Sequence, residues 1–183
     1  MNGFDFAERI LGQTNYEVGP LIDIAGGGET EWLELKAATR PHDGKFDKKD
    51  NKWDYVWDIS KALVGLANNI GGALILGIAE TANGDKSFEY VSLEKSGFEG
   101  DKDRFMRDVV RSQLIFPRDG WPTGTSGRWM CKTLDTVVIP RWGYLSGQLV
   151  VVMLVRPRSK SERWILATQR DDVTEKNVVL RRA

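Results

Sequence analysis

One stretch constrains the fold more than any other: "YVWDISKALVGLANNIGGALILGIA", Tyr55 to Ala79. Val56, Ile59, Leu63, Leu66 and Ile70 recur three and four apart. That spacing predicts a helix from Tyr55 to Ile70 with one apolar stripe. Asp54 is the natural N-cap. Gly71-Gly72 is the natural stop, because glycine takes the left-handed conformation after a helix without penalty. "ALILGIA" (73–79) then reads as a strand apolar on both faces, hence buried on both. A helix delivered by a glycine pair into a doubly buried strand must pack on a sheet. The glycines therefore have a structural reading, which we favour over a role in presenting backbone N–H groups to a ligand.

The rest of the chain fits the same plan. "FDFAERIL" (4–11) predicts a short helix. Residues 30–38 alternate as a strand, with Leu33, Leu35 and Ala37 on one face and Trp32, Glu34 and Lys36 on the other. Residues 40–53 are a polar loop, and 87–93 suit a half-exposed strand. A second main helix is expected from about Lys102 to Leu114, capped by Asp101 and stopped by Pro117. Residues 117–133 read as loop. Strands are expected at 136–140 and 148–157, joined by a turn at "YLSG", and again at 163–168 and 177–182. The fold class is α+β: a mixed β-sheet with two main helices packed on it. We divide the chain into an N-terminal extension, 1–28, and a domain, 29–183. The expectation is that this domain is a piece of a longer protein.

Composition excludes several chemistries. Cys131 is the single cysteine and His42 the single histidine among 183 residues. An internal disulfide and a cysteine-based zinc site are therefore excluded. A Ser-His-Asp triad would need His42, which sits in the polar stretch "RPHDGKFDKKDNK". No apolar run reaches the ~20 residues that span a bilayer, and the start of the chain lacks an export signal. A cytoplasmic location without a membrane partner is expected. Lysine plus arginine and aspartate plus glutamate each number 26. A zero net charge argues against a passive polyanion coat but leaves room for segregated charge. Basic residues gather in "RPRSKSER" and "KFDKKDNK", and acids near 29–34 and 94–108. "GGG" (26–28) lacks the rest of a P-loop pattern, so an ATPase is not expected.

The acid-rich stretch is "ETEWLELK", Glu29 to Lys36. Taken with "ISKALVGLANNIGGALILGIAE", it resembles the Schlafen AlbA-like domain. That family has a stretch of the type E-x-x-x-x-E-[FL]-K. It is followed, after a loop and helix, by A-[FN]-x-x-G-G-x-L-x-x-G-[VI]-x-[DE]. Here the second motif is carried by Ala67, Asn68, Gly71, Gly72, Leu74, Gly77, Ile78 and Glu80. The resemblance is good over 29–80 and looser to 182. It implies a nucleic-acid function, with RNA favoured over DNA. Some members are metal-dependent endoribonucleases that cleave structured RNA such as tRNA, and others are described as DNA-binding modules. By position, the resemblance implies Glu29, Glu34 and Glu80 as catalytic metal ligands. Many members have two acids where this chain has Ala79-Glu80. A single unit where animal Schlafens join two implies a homodimer.

Such chemistry suits these residue types. Mg²⁺ or Mn²⁺ prefers carboxylate oxygens and keeps several waters, so two or three acids suffice. Lys36, on the strand face of Glu34, is the candidate to assist at the phosphate; its plainer role is to pair with a nearby acid. Arg156, Arg158, Lys160 and Arg163 are the candidates to grip the nucleic-acid backbone. Trp32, Trp53 and Trp164 are candidates to stack on bases if exposed. The leading expectation is a divalent-metal-dependent endoribonuclease. The alternatives are a non-catalytic nucleic-acid-binding regulatory module and an oligomerisation scaffold.

Geometry sets a condition. Glu29 and Glu34 have opposite parity and would lie roughly 16 Å apart along an unbroken strand. They can share a site only if the chain bends between Glu29 and Glu31, with the strand starting near Thr30 and Glu29 folding back.

Overall fold

Gly77 divides what the sequence presents as one apolar strand. In the computed structural model, "ALILGIA" becomes β2 (Gly72–Leu76) and β3 (Ile78–Glu80), separated by Gly77 at φ +111°. A side chain there would be strained, so glycine is the residue that lets the chain leave one sheet for another. The Gly77 amide donates to Lys36 O (2.8 Å), and its carbonyl accepts from Val91 N (2.8 Å). The bend is thus pinned on both sides.

The structure describes residues 1–38, 59, 61–80, 87–115, 128–130, 137–158, 166–170 and 175–179. Besides β2 and β3, the elements are α1 (Gly3–Gln13), α2 (Gly19–Ile24), β1 (Leu33–Lys36), α3 (61–68), β4 (Phe88–Tyr90) and a 3₁₀ turn (Leu93–Ser96). Then come α4 (Lys102–Phe105), which runs on as a π-helix over Met106–Ile115, and β5 (Arg128–Met130), β6 (Val138–Leu145), β7 (Gln148–Val155), β8 (Leu166–Arg170) and β9 (Glu175–Val179). The main sheet has the order β1-β2-β7-β6. β1 lies parallel to β2, and β2–β7 and β7–β6 are antiparallel. β3–β4 and β5–β8–β9 form two smaller antiparallel sheets. This is a mixed α+β fold, as the sequence predicts.

Alternation along the strands explains why the sheet is covered on both faces. Leu74, Leu76, Val151 and Met153 point to one side, where they pack with Leu63, Leu66, Phe105, Val110 and Leu114 from α3, α4 and the π-helix. Ala73, Ile75, Val152 and Leu154 point to the other, where they meet Phe4, Ala7, Leu11, Leu21 and Ile22 from α1 and α2. The helical cover is therefore fuller than two helices. Residues 1–28 supply one whole layer of it. Each fully buried Leu or Ile in these layers contributes ~1.5–3 kcal/mol.

Local chemistry places the element ends. Gly71 (φ +73°) follows α3 and donates to Leu66 O (2.9 Å), the left-handed stop expected there. Asp101 caps α4 by accepting from Arg104 N (2.9 Å). "LSG" makes a two-residue hairpin between β6 and β7. Ser146 (φ 51°) and Gly147 (φ 81°) both adopt the positive φ that such a turn demands.

Several boundaries differ from the sequence expectation. The strand drawn over 30–38 is confined to Leu33–Lys36, because Thr30 Oγ1 accepts from Trp32 N (3.3 Å) and Leu33 N (3.1 Å) and holds the preceding residues in a turn. The 102–114 helix changes from α to π after Phe105. β6 continues to Leu145, β8 and β9 overlap the expected 163–168 and 177–182, of which 163–165 and 180–182 lie outside the described residues, and β5 falls within the segment read as loop. Asp54 and the start of the Tyr55–Ile70 helix lie outside the described residues. Among the described residues no helix is long and apolar enough to cross a membrane.

Candidate functional site

The site is built at β1, the edge strand of the main sheet among the described residues. β2 satisfies one side of this strand, with Ala73 N donating to Trp32 O (2.9 Å) and Gly77 N to Lys36 O (2.8 Å). The opposite side belongs to an edge strand, whose peptide groups need partners. The residues just before the strand provide them. Thr30 N donates to Leu33 O (2.9 Å), and Thr30 Oγ1 takes the amide of Leu33. Glu29 Oε1 then accepts from Leu35 N (3.3 Å).

That turn brings Glu29 back onto the strand, as the parity argument requires. The bend itself spans Thr30 to Trp32, and the strand starts three residues later than Thr30. Upstream, Gly26 (φ +75°) and Gly27 (φ +78°) end α2. Their amides donate to Asp23 O and Ile22 O at 3.0 Å each. "GGG" is thus a helix stop that aims the chain toward the β1 edge.

Glu34 and Lys36 share the sheet face of Leu74 and Leu76, their partners in β2. Lys36 Nζ lies 2.5 Å from Glu34 Oε1 and 3.5 Å from Glu29 Oε1. Glu34 is buried, with 11% of its side chain exposed, against 31% for Glu29 and 29% for Lys36. One ammonium therefore serves two carboxylates at a half-sheltered position.

The electrostatics follow. Burial raises the Glu29 pKa above the ordinary carboxylate value, and the negative charge of Glu34 adds to it. Lys36 and the Leu35 amide act in the opposite direction without cancelling the rise. For Lys36, burial lowers the pKa, but the hydrogen bond and charge of Glu34, helped by Glu29, overcome that and raise it. Lys36 is a firmly charged cation held by two acids, one of which is reluctant to ionise.

Glu80 enters through its backbone. It pairs with Phe88 in β3, whose start is tied to Lys36 by Gly77. Its side chain lies outside what the structure describes. Among the described residues no group of three or more His, Cys, Asp or Glu converges in a way that could hold a metal ion. The described donor set is the pair Glu29 and Glu34. Its all-oxygen character suits a hard divalent cation that keeps most of its waters, and does not suit zinc.

Arg156 does not line this pair. Arg156 follows Val155, which sits opposite Gly72 at the end of the sheet where β1 begins. Strand spacing puts its Cα roughly 14 Å from that of Glu34. The Arg156 guanidinium lies over the Phe4 ring (5.3 Å), on the α1 side of the sheet. Arg158 N donates to Ala67 O (2.8 Å) at the end of α3. Lys160 and Arg163 lie outside the described residues. Trp32 is half-buried, edge-on to Phe6 (ring centroids 5.1 Å), and so serves α1 packing. Trp53 and Trp164 are outside the described residues.

What the sequence reading missed is the peptide of Leu35 as the group that holds Glu29. The signal was present: a threonine directly after the acid and three residues before the first strand residue.

No family model matches the chain, and no curated protein matches it. Among solved structures it is similar to the solution NMR structure of the N-terminal domain of a RecG-related protein from Nitrosomonas europaea. The sequence identity is 15% and the TM-score 0.43, over 91% of this chain and 89% of that one.

Proposed function

We propose that the chain acts on nucleic-acid phosphodiesters as a divalent-metal-dependent endoribonuclease. In this reading Glu29, Glu34 and Glu80 hold Mg²⁺ or Mn²⁺, Lys36 faces the phosphate, and Arg156 and Arg158 meet the backbone further along. The observation that carries it is the return of Glu29 onto β1, with its carboxylate on Leu35 N and beside Lys36. The two acids of "ETEWLELK" meet one ammonium instead of lying a strand apart. The resemblance of that motif and of 67–80 to the Schlafen AlbA-like domain supports the same reading and favours RNA.

The bound cation supplies Lewis acidity and a lowered pKa for a coordinated water. The chain's own contribution is positional. The Leu35 amide holds one Glu29 oxygen on the strand. The buried β1 backbone fixes Glu34. Lys36, on a long flexible stem, is placed to neutralise charge on a phosphate oxygen.

A second reading, a non-catalytic nucleic-acid-binding module, draws on a specific observation too. Lys36 already compensates both acids, and Ala79 stands where many family members have an acid. Incubating the purified protein with labelled tRNA and with single-stranded DNA, in Mn²⁺, Mg²⁺ or EDTA, separates the two. The nuclease reading expects metal-dependent RNA cleavage that Glu34→Gln abolishes while binding survives. Binding without cleavage under all conditions, unchanged by Glu34→Gln, establishes the second reading instead.

A further inference from the structure

The two outer strands of the main sheet among the described residues are β1 and β6. One stretch of chain, residues 14–30, attaches to the outer side of both. At β6 the attachment is made by residues 16–18. Tyr144 N donates to Tyr16 O (2.9 Å), Val18 N donates to Tyr144 O (2.8 Å), and Glu17 forms a parallel bridge with Tyr144. Glu17 Oε1 also accepts from Ser146 N (2.8 Å), in the hairpin turn beyond β6. At β1 the attachment is made by residues 29–30, through Leu35 N and Leu33 O. The strand order puts β7 and β2 between the two outer strands, a separation of roughly 14 Å. α2 makes the crossing, with Leu21 and Ile22 buried on the sheet face beside Ile75 and Val152.

The β6 attachment is strained. Asn15 (φ 51°) and Tyr16 (φ 62°) both lie in the left-handed region, which asparagine tolerates better than tyrosine. Bonds specific to this turn hold them there. Tyr16 N donates to Leu11 O (2.7 Å), and Thr14 Oγ1 donates to Glu17 O (2.8 Å). Gly143 leaves room for the approach, since an added Cβ would lie 3.0 Å from Tyr16 O. A strained turn held by contacts has two positions open to it: clasped on Tyr144, or released with its backbone relaxed.

We infer that the 14–18 turn is a clasp that anchors α2 across the sheet and thereby positions Glu29 on β1. Gly26 N and Gly27 N donate back to Asp23 O and Ile22 O, so α2 and the start of the Glu29 turn move as one piece. Releasing the clasp at one outer strand then loosens the carboxylate at the other. Glu29 is positioned in this way whether or not it holds a metal, so the inference stands apart from the nuclease reading. A group that took Tyr144 from the clasp would unseat Glu29 from a distance.

The test is amide hydrogen exchange by NMR on the full chain. Tyr144 N reports the clasp, Leu35 N reports Glu29, and Ile75 N, in the middle of the sheet, reports the fold as a whole. Asn15 is exposed, so Asn15→Val acts on the turn through its backbone preference. Exchange at Tyr144 should speed up about tenfold in Asn15→Val, the equivalent of the left-handed penalty on one residue. Exchange at Leu35 should rise with it by at least about threefold, with Ile75 unchanged. Asn15→Gly meets no such penalty and should stay at native rates or below. Coupling is reciprocal, so Glu29→Ala should speed Tyr144 as well as Leu35. A faster Tyr144 with an unmoved Leu35 makes the clasp local and overturns the inference. An equal rise at all three amides, which is a weakened fold, overturns it too, as does an unmoved Tyr144 in both Asn15→Val and Glu17→Ala. If Asn15→Val does not fold, Glu17→Ala and Glu29→Ala decide by the same readings.

Discussion

The amide of Leu35 donates to the carboxylate of Glu29, six residues earlier in the chain, at 3.3 Å. This one bond ties the loop after α2 to the side of β1 away from β2, and it makes Glu29 a structural group as well as a candidate ligand. An edge-strand N–H left without an acceptor costs about 1–3 kcal/mol if it stays buried. Glu29→Ala should therefore speed hydrogen exchange at the Leu35 amide markedly and lower stability by ~1 kcal/mol. Glu29→Gln keeps a carbonyl oxygen at the same reach and should leave the Leu35 amide protected. Equal exchange rates in the native protein and Glu29→Ala, measured by NMR, would remove Glu29 from this role.

The raised pKa of Glu29 gives a pH dependence of definite sign. A carboxyl whose pKa is higher folded than unfolded binds its proton more tightly in the fold. Its contribution is therefore most favourable below the unfolded value of 4.5 and is lost as pH rises from there through the folded pKa. Lys36 follows the same sign in a higher pH window. Its contribution is complete below 10.5 and is lost only as pH rises through its own raised value. Thermal melts of the native protein and Glu29→Gln from pH 4 to pH 7 isolate the first effect. The native protein should lose ground to Glu29→Gln as pH rises across that range. A difference that stays flat, or that grows in favour of the native protein, contradicts the raised pKa.

The fold was largely legible where one periodicity ruled. The apolar stripe through Leu63 and Leu66, the glycine stop at Gly71 and the doubly buried "ALIL" all depend on spacing and on glycine's conformational freedom, both of which are local. What could not be read was where a partner decides. Strand β2 ends at Gly77 because Lys36 O and Val91 N hold it from two sides, and neither is near in sequence. The switch from α to π after Phe105 leaves no trace in a pattern that suits a continuous helix. At the site, the sequence supplied Glu29, Glu34 and Lys36 and the condition that joins them. It did not name the Leu35 peptide, whose only trace in sequence is the threonine that turns the chain after Glu29. Nor did clustering of Arg156 with Arg158, Lys160 and Arg163 in sequence bring Arg156 to the acid pair. Strand register sets that distance.

Asp101 is the side-chain cap of α4, and the helix behind it carries Phe105 and Val110 into the core. Losing an N-cap acceptor costs ~1 kcal/mol. Asp101→Ala should lower the denaturation midpoint accordingly, while Asp101→Asn, which keeps an acceptor oxygen, should stay within a few tenths of the native value. The site at β1 is on a different element, so any RNA cleavage by the protein should be unchanged in both variants at temperatures where they are folded. A large loss of activity in folded Asp101→Ala would tie this helix to the chemistry instead.

Gly72 and Gly12 make opposite predictions for the same substitution. Gly72 opens β2 at φ +147°, and an added Cβ would lie 2.0 Å from Trp32 O, the atom that accepts from Ala73 N and so starts the β1–β2 pairing. Backbone on one side and a disfavoured φ on the other leave no cheap relief. Gly72→Ala should cost on the order of 3 kcal/mol or more, or prevent folding, by overpacking against an atom that cannot move without breaking the ladder. Gly12 lies exposed in α1, with nothing within 4 Å of an added Cβ. Gly12→Ala should stabilise by ~0.5–1 kcal/mol through helix propensity alone. Chemical denaturation of the two variants beside the native protein checks both. If Gly72→Ala folds with near-native stability, the close approach of β1 to β2 is wrong, and the edge on which Glu29, Glu34 and Lys36 meet must be drawn differently.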